Sequence, residues 1–365
     1  MDMPVTKTAS PTPRADELHF PFPDFPAAGT ATEVADGIFW ISTPVPFVGL
    51  KQVNLWLLRD GDGWTMIDCG YGRDDVRALI EQVWQSVLQG RPVTRLIVTH
   101  NHPDHIGNAR WISDLWGKLR PVMSLGEWLM SNLAVRDLDS DNMQQRGVFY
   151  RRHGLDDATV AKFLAEVLPY KDGVQLPSSF RRMSDSDVIA INGDHWRVMT
   201  GGGHSLEHVS LYCAERKILI AGDQILPGIT TNVSTWPSEP EFDAVGAFLR
   251  SCKRFLDTLD PDTLILPSHR KPFFNVQHRM RELARHHAAR LNLILDNSPG
   301  TIAAAALIDV LFKPGLDGHQ LGFAMGEVIA HLNHLVAIGH MQMIEDKASV
   351  RYRRINDWPV NPSFQ

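Results

Sequence analysis

Residues 99–105 read Thr-His-Asn-His-Pro-Asp-His, which puts three histidines and one carboxylate within six residues directly after an apolar run. Imidazole nitrogen and carboxylate oxygen together suit Zn2+, and also iron or manganese. An ideal strand sends alternate side chains to opposite faces, so four such groups cannot reach one ion from a strand. A loop at the strand's end can divide them, His100 and His102 toward one ion and Asp104 and His105 toward a second. Three later positions repeat the placement. His204 follows an apolar run through Gly201-Gly202-Gly203, Asp223 ends the run 217–223, and His269 ends the run 263–269. Each is a ligand type at the carboxyl end of an apolar run, the edge where α/β sheets place their sites. The pattern predicts a centre for two divalent metal ions, zinc foremost.

The elements that must hold these residues read as follows. Short β-rich runs at 37–41, 53–58 and 64–68 surround the turn Asp60-Gly61-Asp62-Gly63, a hairpin signal. Residues 74–89 have helical spacing, with Val76, Leu79, Ile80, Val83, Trp84 and Val87 on one stripe, and Gly90 stops them. Strands are expected at 95–99, 196–200, 209–213, 217–221 and 263–267, so strand and helix alternate in a layered α/β core. Residues 120–186 interrupt that pattern as a mostly helical insertion or lid. Its aromatic side chains Trp128, Phe149 and Tyr150 are candidates to line a substrate pocket, as is Trp236 shortly after Asp223. After residue 272 helices are expected at 276–296, 301–312 and 323–338, followed by a hairpin at 341–353. Residues 1–30, rich in proline and threonine, read as an extended arm. The organisation is therefore an arm (1–30), a catalytic domain (31–272) and a small winged-helix-like C-terminal domain (273–365).

The stretch 99–105 resembles the H-x-H-x-D-H signature of metallo-β-lactamase-fold hydrolases. Asp68 in Met66-Ile67-Asp68-Cys69-Gly70 is similar to that family's acidic residue ahead of the signature. Gly203-His204-Ser205-Leu206-Glu207-His208 resembles its Gly-His-Thr-Pro-Gly-His segment, and Ala221-Gly222-Asp223 and Leu266-Pro267-Ser268-His269 resemble its last two motifs. The resemblance spans about residues 33–272 with all five motifs in order. It implies a four-layer αββα sandwich. It also implies that His100, His102 and His204 hold one metal, that Asp104, His105 and His269 hold the other, that Asp223 bridges them, and that Asp68 orients ligands from behind. Glu207, Leu206 and Gly202 depart from the third motif, which leaves His208 as a structural residue more than a ligand or substrate contact.

Two cations sharing a carboxylate lower the pKa of water from about 15.7 toward about 7, so hydroxide is at hand near neutral pH. Asp104, Asp223 and Asp68 are the acidic residues expected to serve that chemistry. True β-lactamases of this fold usually lack the aspartate bridge that Asp223 resembles, which turns the reading from drug hydrolysis to an activated carboxyl derivative: a thioester such as an acyl-CoA, an ester or a lactone. Hydrolytic dehalogenation of an aromatic compound is the alternative, because the layout resembles the chlorothalonil dehalogenase group, although that group departs from the signature at its first histidine. Phosphodiester hydrolysis ranks below both. The formal net charge of −6 and the absence of Lys and Arg from 323–335 argue against a nucleic-acid partner. The sequence carries no G-x-S-x-G elbow, Walker-type loop or G-x-G-x-x-G fingerprint. Cys69, Cys213 and Cys252 are scattered and read as reduced thiols, and no run suits a membrane helix or a leader. A cytoplasmic enzyme acting on a small molecule, with a homodimer as one option, is the resulting expectation.

Overall fold

The computed structural model describes residues 17–362 except Val48 and residues 137–139. Most of the arm therefore lies outside the described residues. Its described end runs along the catalytic part: His19 bridges to Phe274, and the Phe25 ring meets Trp40 in a tilted contact at 5.3 Å.

β1 (Ala31–Ala35), β2 (Ile38–Pro44), β3 (Gln52–Asp60) and β4 (Gly63–Ile67) form an antiparallel meander. Asp60 pairs with Gly63 across the two-residue turn that the Asp-Gly signal predicts. α1 (Asp74–Val87) buries Val76, Ile80, Val83 and Trp84 and returns the chain to β5 (Val93–Ile97), which lies parallel to β4. α2 (Pro103–Ile106) and α3 (Ala109–Leu115) follow, and then β6 (Val122–Met123). The helical stretch comprises α4 (Leu125–Arg136), α5 (Ser140–Arg152), α6 (Asp157–Glu166) and α7 (Tyr170–Gly173), and it ends at β7 (Arg181–Arg182). β6 and β7 close a seven-stranded sheet of order β1 to β7, so the ends of the 120–186 segment belong to the sheet and only its middle is inserted.

The second sheet holds β8 (Val188–Ile191), β9 (Asp194–Gly201), β10 (His208–Cys213), β11 (Ile218–Gly222) and β12 (Leu264–Pro267), in the order β12-β11-β10-β9-β8. Between β11 and β12 runs α8 (Ala244–Thr258). β3, β10, β11 and β12 are apolar almost without interruption because both their faces are covered. Side chains of both sheets, among them Trp40, Trp56, Trp196, Val209 and Leu266, share one core between the layers. A second core, with Leu219, Phe248 and Phe255, lies between the second sheet and α8. With α1 on the outer face of the first sheet, the layers run helix, sheet, sheet, helix.

α9 (Val276–Asp296), β13 (Thr301–Ile302), α10 (Ile308–Leu311), α11 (Gly318–Ala337), β14 (Met341–Glu345) and β15 (Val350–Arg354) complete the chain. The single helix expected at 301–312 is replaced by a strand, a 3-10 turn and the short α10, because Thr301 and Ile302 pair with Arg353 and Tyr352. α11 begins five residues before the expected 323, where Asp317 and Gln320 form a reciprocal capping box. A third core joins this part to the inserted helices: Phe149, Tyr150, Val160 and Phe163 pack with Leu321, Met325, Ile329 and Tyr352. The insertion and the C-terminal part thus form one helical cap. No helix among the described residues is long and apolar enough to cross a membrane.

Candidate metal centre

The four strand ends expected to carry ligands meet at one edge of the sandwich. His100, His102, His204 and Asp223 present ligand atoms within 4.8 Å of one another, and Asp104, His105 and His269 do the same beside them. Asp223 straddles the two sets. Its Oδ2 lies 3.4 Å from His204 Nε2, while its Oδ1 lies 3.4 Å from His269 Nε2 and 3.6 Å from His105 Nε2. Asp104 Oδ2 is 3.4 Å from His269 Nε2 and 3.6 Å from His105 Nε2.

Each Nε2 is aimed by a bond at the other ring nitrogen. His105 Nδ1 donates to Asp68 Oδ2 at 2.8 Å, His204 Nδ1 to the Asn232 carbonyl at 2.8 Å, and His269 Nδ1 to the Gln52 carbonyl at 2.8 Å. That arrangement fixes the tautomer and leaves Nε2 as an electron-pair donor. Asp68 also accepts the Thr99 amide and hydroxyl at 2.7 and 2.8 Å, and it holds these bonds from a left-handed backbone (φ 58°) that a non-glycine residue rarely adopts.

Two features fit divalent ions. His105 Nε2 and Asp223 Oδ1 are buried with no hydrogen-bond partner, which is costly unless something else satisfies them. His100 and His204 also face each other Nε2 to Nε2 at 3.1 Å. Ligands about 2.05 Å from a tetrahedral zinc lie about 3.3 Å apart, so contacts of 3.1–3.6 Å are the spacing such an ion imposes.

The electrostatics point the same way. Burial, helped by the neighbouring imidazoles, holds His100 well below the ordinary histidine range, and burial with His204 takes His102 down to about 3. Burial opposes charge on His105 as well, yet Asp104, Asp223 and Asp68 outweigh it and lift the ring to about 9. His269 rises for the same reason, with burial again overcome by Asp223 and Asp104. The carboxylates demand positive charge here. Protons on His105 and His269 meet that demand in the bare chain, and metal ions would displace them.

Several positioning groups were not legible in the sequence. Glu127, fully buried on α4, accepts the Asn101 amide at 2.9 Å and the Glu207 amide at 2.7 Å, and so clamps the two loops that carry His100, His102 and His204. Glu207 answers by accepting the Gly126 amide at 2.7 Å, which accounts for glutamate where the family motif has glycine. His208 Nε2 accepts the Asp223 amide at 3.0 Å, so that nitrogen positions Asp223's backbone. A Cβ on Gly222 would come within 2.4 Å of the His208 ring, and one on Gly203 (φ 97°) within 2.5 Å of Phe248 and the Ala244 carbonyl. Both glycines let ligand loops press against neighbouring elements.

The aromatic residues expected to line a pocket separate into two groups. Phe149 and Tyr150 are corrected: both are buried in the helical cap, with Tyr150 donating to the Gly322 carbonyl at 3.2 Å, and a fully enclosed ring cannot meet substrate. Trp128 stacks on Phe180 at 4.7 Å, half-buried against the main core. Trp236 lies at the end of an aromatic arc that sequence reading missed. Trp236 meets Phe323 at 6.0 Å, Phe323 meets His319 at 4.8 Å, His319 stacks on Phe47 at 5.1 Å, and Phe47 meets Tyr71 at 5.7 Å. The arc borders the cluster, since the Asp104 charge acts on both His319 and Tyr71. Phe47, Trp236, His319 and Phe323 are half-buried. A cleft of about 800 Å3 lined by Arg77, Trp111 and Arg136 contains none of the ligand residues and is a separate feature.

Comparison with known proteins agrees with this geometry. The metallo-beta-lactamase superfamily matches residues 48–269, and a metallo-beta-lactamase-like C-terminal domain family matches 291–355. A probable metallo-hydrolase of Bacillus subtilis is 25% identical over 317 residues, covering 83% of this chain and 93% of its own. The crystal structure of a beta-lactamase domain protein from Burkholderia ambifaria superposes with a TM-score of 0.85 at 39% identity, covering 93% of this chain and 99% of that one. A metallo-beta-lactamase family protein from Thermus thermophilus reaches 0.75 at 26% identity, covering 88% and 100%. With the signature residues gathered at one sheet edge and the family matching well over half of its length, the chain belongs to the metallo-beta-lactamase superfamily and is a metal-dependent hydrolase.

Proposed function

We propose that the protein hydrolyses an activated carboxyl derivative, a thioester before an ester or lactone, with two divalent ions, zinc foremost. His100, His102 and His204 would hold one ion, Asp104, His105 and His269 the other, and Asp223 both. Bound there, such ions supply Lewis-acid polarisation and a water of lowered pKa.

The chain's own contribution is alignment. Asp68, Asn232 and Gln52 fix three imidazoles, Glu127 ties two ligand loops together, and His208 holds the Asp223 backbone. The observation that carries the substrate class is the aromatic arc from Trp236 to Tyr71 beside the cluster, a surface for an apolar acyl group. The cluster also commits its buried acids to the ions. A thiolate, with an ordinary pKa near about 8.5, departs without a proton, whereas an amide's amine does not. A hydroxyacylglutathione hydrolase of Ectopseudomonas mendocina, 29% identical over 116 residues that span 41% of it, supports the thioester reading.

The test is metal analysis of the purified protein beside turnover of acyl thioesters, esters, lactones and bis(4-nitrophenyl) phosphate. Thioester turnover with about two metal equivalents per chain is expected. Turnover of the phosphodiester alone would overturn the proposal.

A further inference from the structure

Arg146 on α5 is a cation at the far end of the aromatic arc, without a counter-charge among the described residues. Its guanidinium lies 5.5 Å from the Phe163 ring and 5.3 Å from the Trp236 ring, half-buried. Its remaining contacts are the Met143 sulfur at 4.0 Å and the neighbouring Tyr150 hydroxyl. Among the described residues no carboxylate pairs with it. Other arginines of the helical cap are neutralised: Arg151 by Asp157, Arg152 by Glu345 and Arg290 by Glu327. Stacking on rings cancels none of the charge and uses none of the five N–H donors of a guanidinium. A half-buried guanidinium with donors left over can bind an anionic group of a ligand there.

Its position says which part of a ligand that is. Trp236 connects Arg146 to Phe323 and His319, and His319 feels the Asp317, Arg146 and Asp104 charges. Burial pushes His319 down, so the ring beside the cluster is neutral near pH 7 and Arg146 is the cation of the arc. From the reading of the site as one for activated acyl groups, we infer that Arg146 binds an anionic group, a carboxylate in the simplest case, on the part of the substrate remote from the scissile bond, with the apolar middle lying along Trp236, Phe323 and His319. The substrate class is then an acyl derivative carrying a negative charge several bonds from its reactive carbonyl.

Two measurements on the metal-loaded protein test this. The first is calorimetric binding of 5-phenylvalerate and of its neutral amide to wild type, Arg146→Gln and Arg146→Lys. The acid is expected to bind wild type about tenfold tighter than the amide, a charge-assisted pair being the source. That preference should fall to about threefold or less in Arg146→Gln and return in part in Arg146→Lys. A preference that persists in Arg146→Gln would put the carboxylate on the metal ions and overturn the inference. Equal binding of acid and amide by wild type, or an equal loss for both probes in the variant, would overturn it too. The second is the ratio of kcat/KM for the 4-nitrophenyl hemiester of glutaric acid to that for 4-nitrophenyl pentanoate, expected to drop about tenfold in Arg146→Gln, mostly through KM. If neither ester is turned over, ester hydrolysis is the part that fails, and the binding comparison still decides Arg146. Arg146→Lys keeps the test open should Arg146→Gln fold poorly.

Discussion

The edge of the sandwich and the helical cap above it are built by different rules. At the edge, the candidate ligands follow the ends of β5, β9, β11 and β12, and three imidazoles are aimed by a bond to a nearby backbone carbonyl or carboxylate: Asp68 for His105, Asn232 for His204, Gln52 for His269. In the cap, no local segment defines anything by itself. Phe149, Tyr150 and Phe163 of the insertion pack on one another and against Leu321, Met325 and Tyr352, over 150 residues away in sequence. The difference teaches that the reaction and its substrate are separately encoded. Strand ends hold the metal ligands. Packing between distant helices places Arg146 against Trp236 and Phe163, and on the proposed reading it shapes what approaches the ligands.

The strongest way to break that division is at Asp223. Its two oxygens reach both ligand sets, so Asp223→Ala is expected to lose both metals together and reduce turnover to the background rate. His102→Ala should lower metal content less, because it belongs to one set only. Metal analysis beside turnover checks both. If Asp223→Ala kept one metal fully bound, the carboxylate would not be shared and the edge would be two independent sites.

Glu127 sits where the two regions join, on the first helix of the inserted stretch yet clamped to the ligand loops. Glu127→Ala leaves the Asn101 and Glu207 amides without their acceptor, and loss of such a supporting group costs about 10–100-fold in metal affinity or activity. Glu127→Gln keeps one acceptor oxygen and should fall between the alanine variant and wild type. Metal dissociation constants from chelator competition give the ranking. Equal behaviour of Glu127→Ala and wild type would mean that the loops hold their own shape.

How much of this the sequence disclosed follows the same line. The signature from His100 to His105, and the later His204, Asp223 and His269, were legible because each is a ligand type directly after an apolar strand, and local pattern suffices to place it at a sheet edge. α1 and eight of the sandwich strands were legible by period, with ends displaced by up to three residues, whereas β1, β6, β7 and β8 were not, being short or without a clear apolar alternation. Glu127 was not, because a lone glutamate in a helical stretch resembles any solvated one until the fold buries it. The arc was illegible for a related reason: Phe47, Tyr71, Trp236, His319 and Phe323 come from four separate stretches of chain. The helix expected at 301–312 failed because Thr301 and Ile302 are claimed by a strand some fifty residues later. Phe149 and Tyr150 were misread since an aromatic pair on a helix gives no sign of which partner will cover it.

His208 offers a finer test within the edge. Its Nε2 accepts the Asp223 amide, so His208→Ala removes one bond from the bridging residue while leaving both ligand sets whole. The cost is that of an unmet buried amide, about 1–3 kcal/mol, read as a lower Tm with a smaller metal loss than in Asp223→Ala. A larger metal loss from His208→Ala than from Asp223→Ala would reverse the assignment and make His208 a ligand.

The smallest expected effect belongs to the cap, and it measures how separate the two regions are. Tyr150→Phe removes only the hydroxyl that donates to the Gly322 carbonyl, at the turn of α11 just before Phe323. The ring remains against Phe163 at 5.0 Å, so the packing of α5 and α6 on α11 is kept. The loss of that bond, and of the hydroxyl's contact with the Arg146 guanidinium, costs about 1–3 kcal/mol of stability. None of the groups that hold the ligands touches Tyr150, so metal content should match wild type. The bond does tie the inserted helix to the one carrying His319 and Phe323, and loosening it should raise KM for bulky acyl substrates slightly more than for acetyl ones, with kcat unchanged. Thermal unfolding, metal analysis and kinetics on paired substrates make the measurement. A variant that loses metal, or slows equally on every substrate at full metal loading, would show that the cap helps to set the edge, and the division between the two regions would then be wrong.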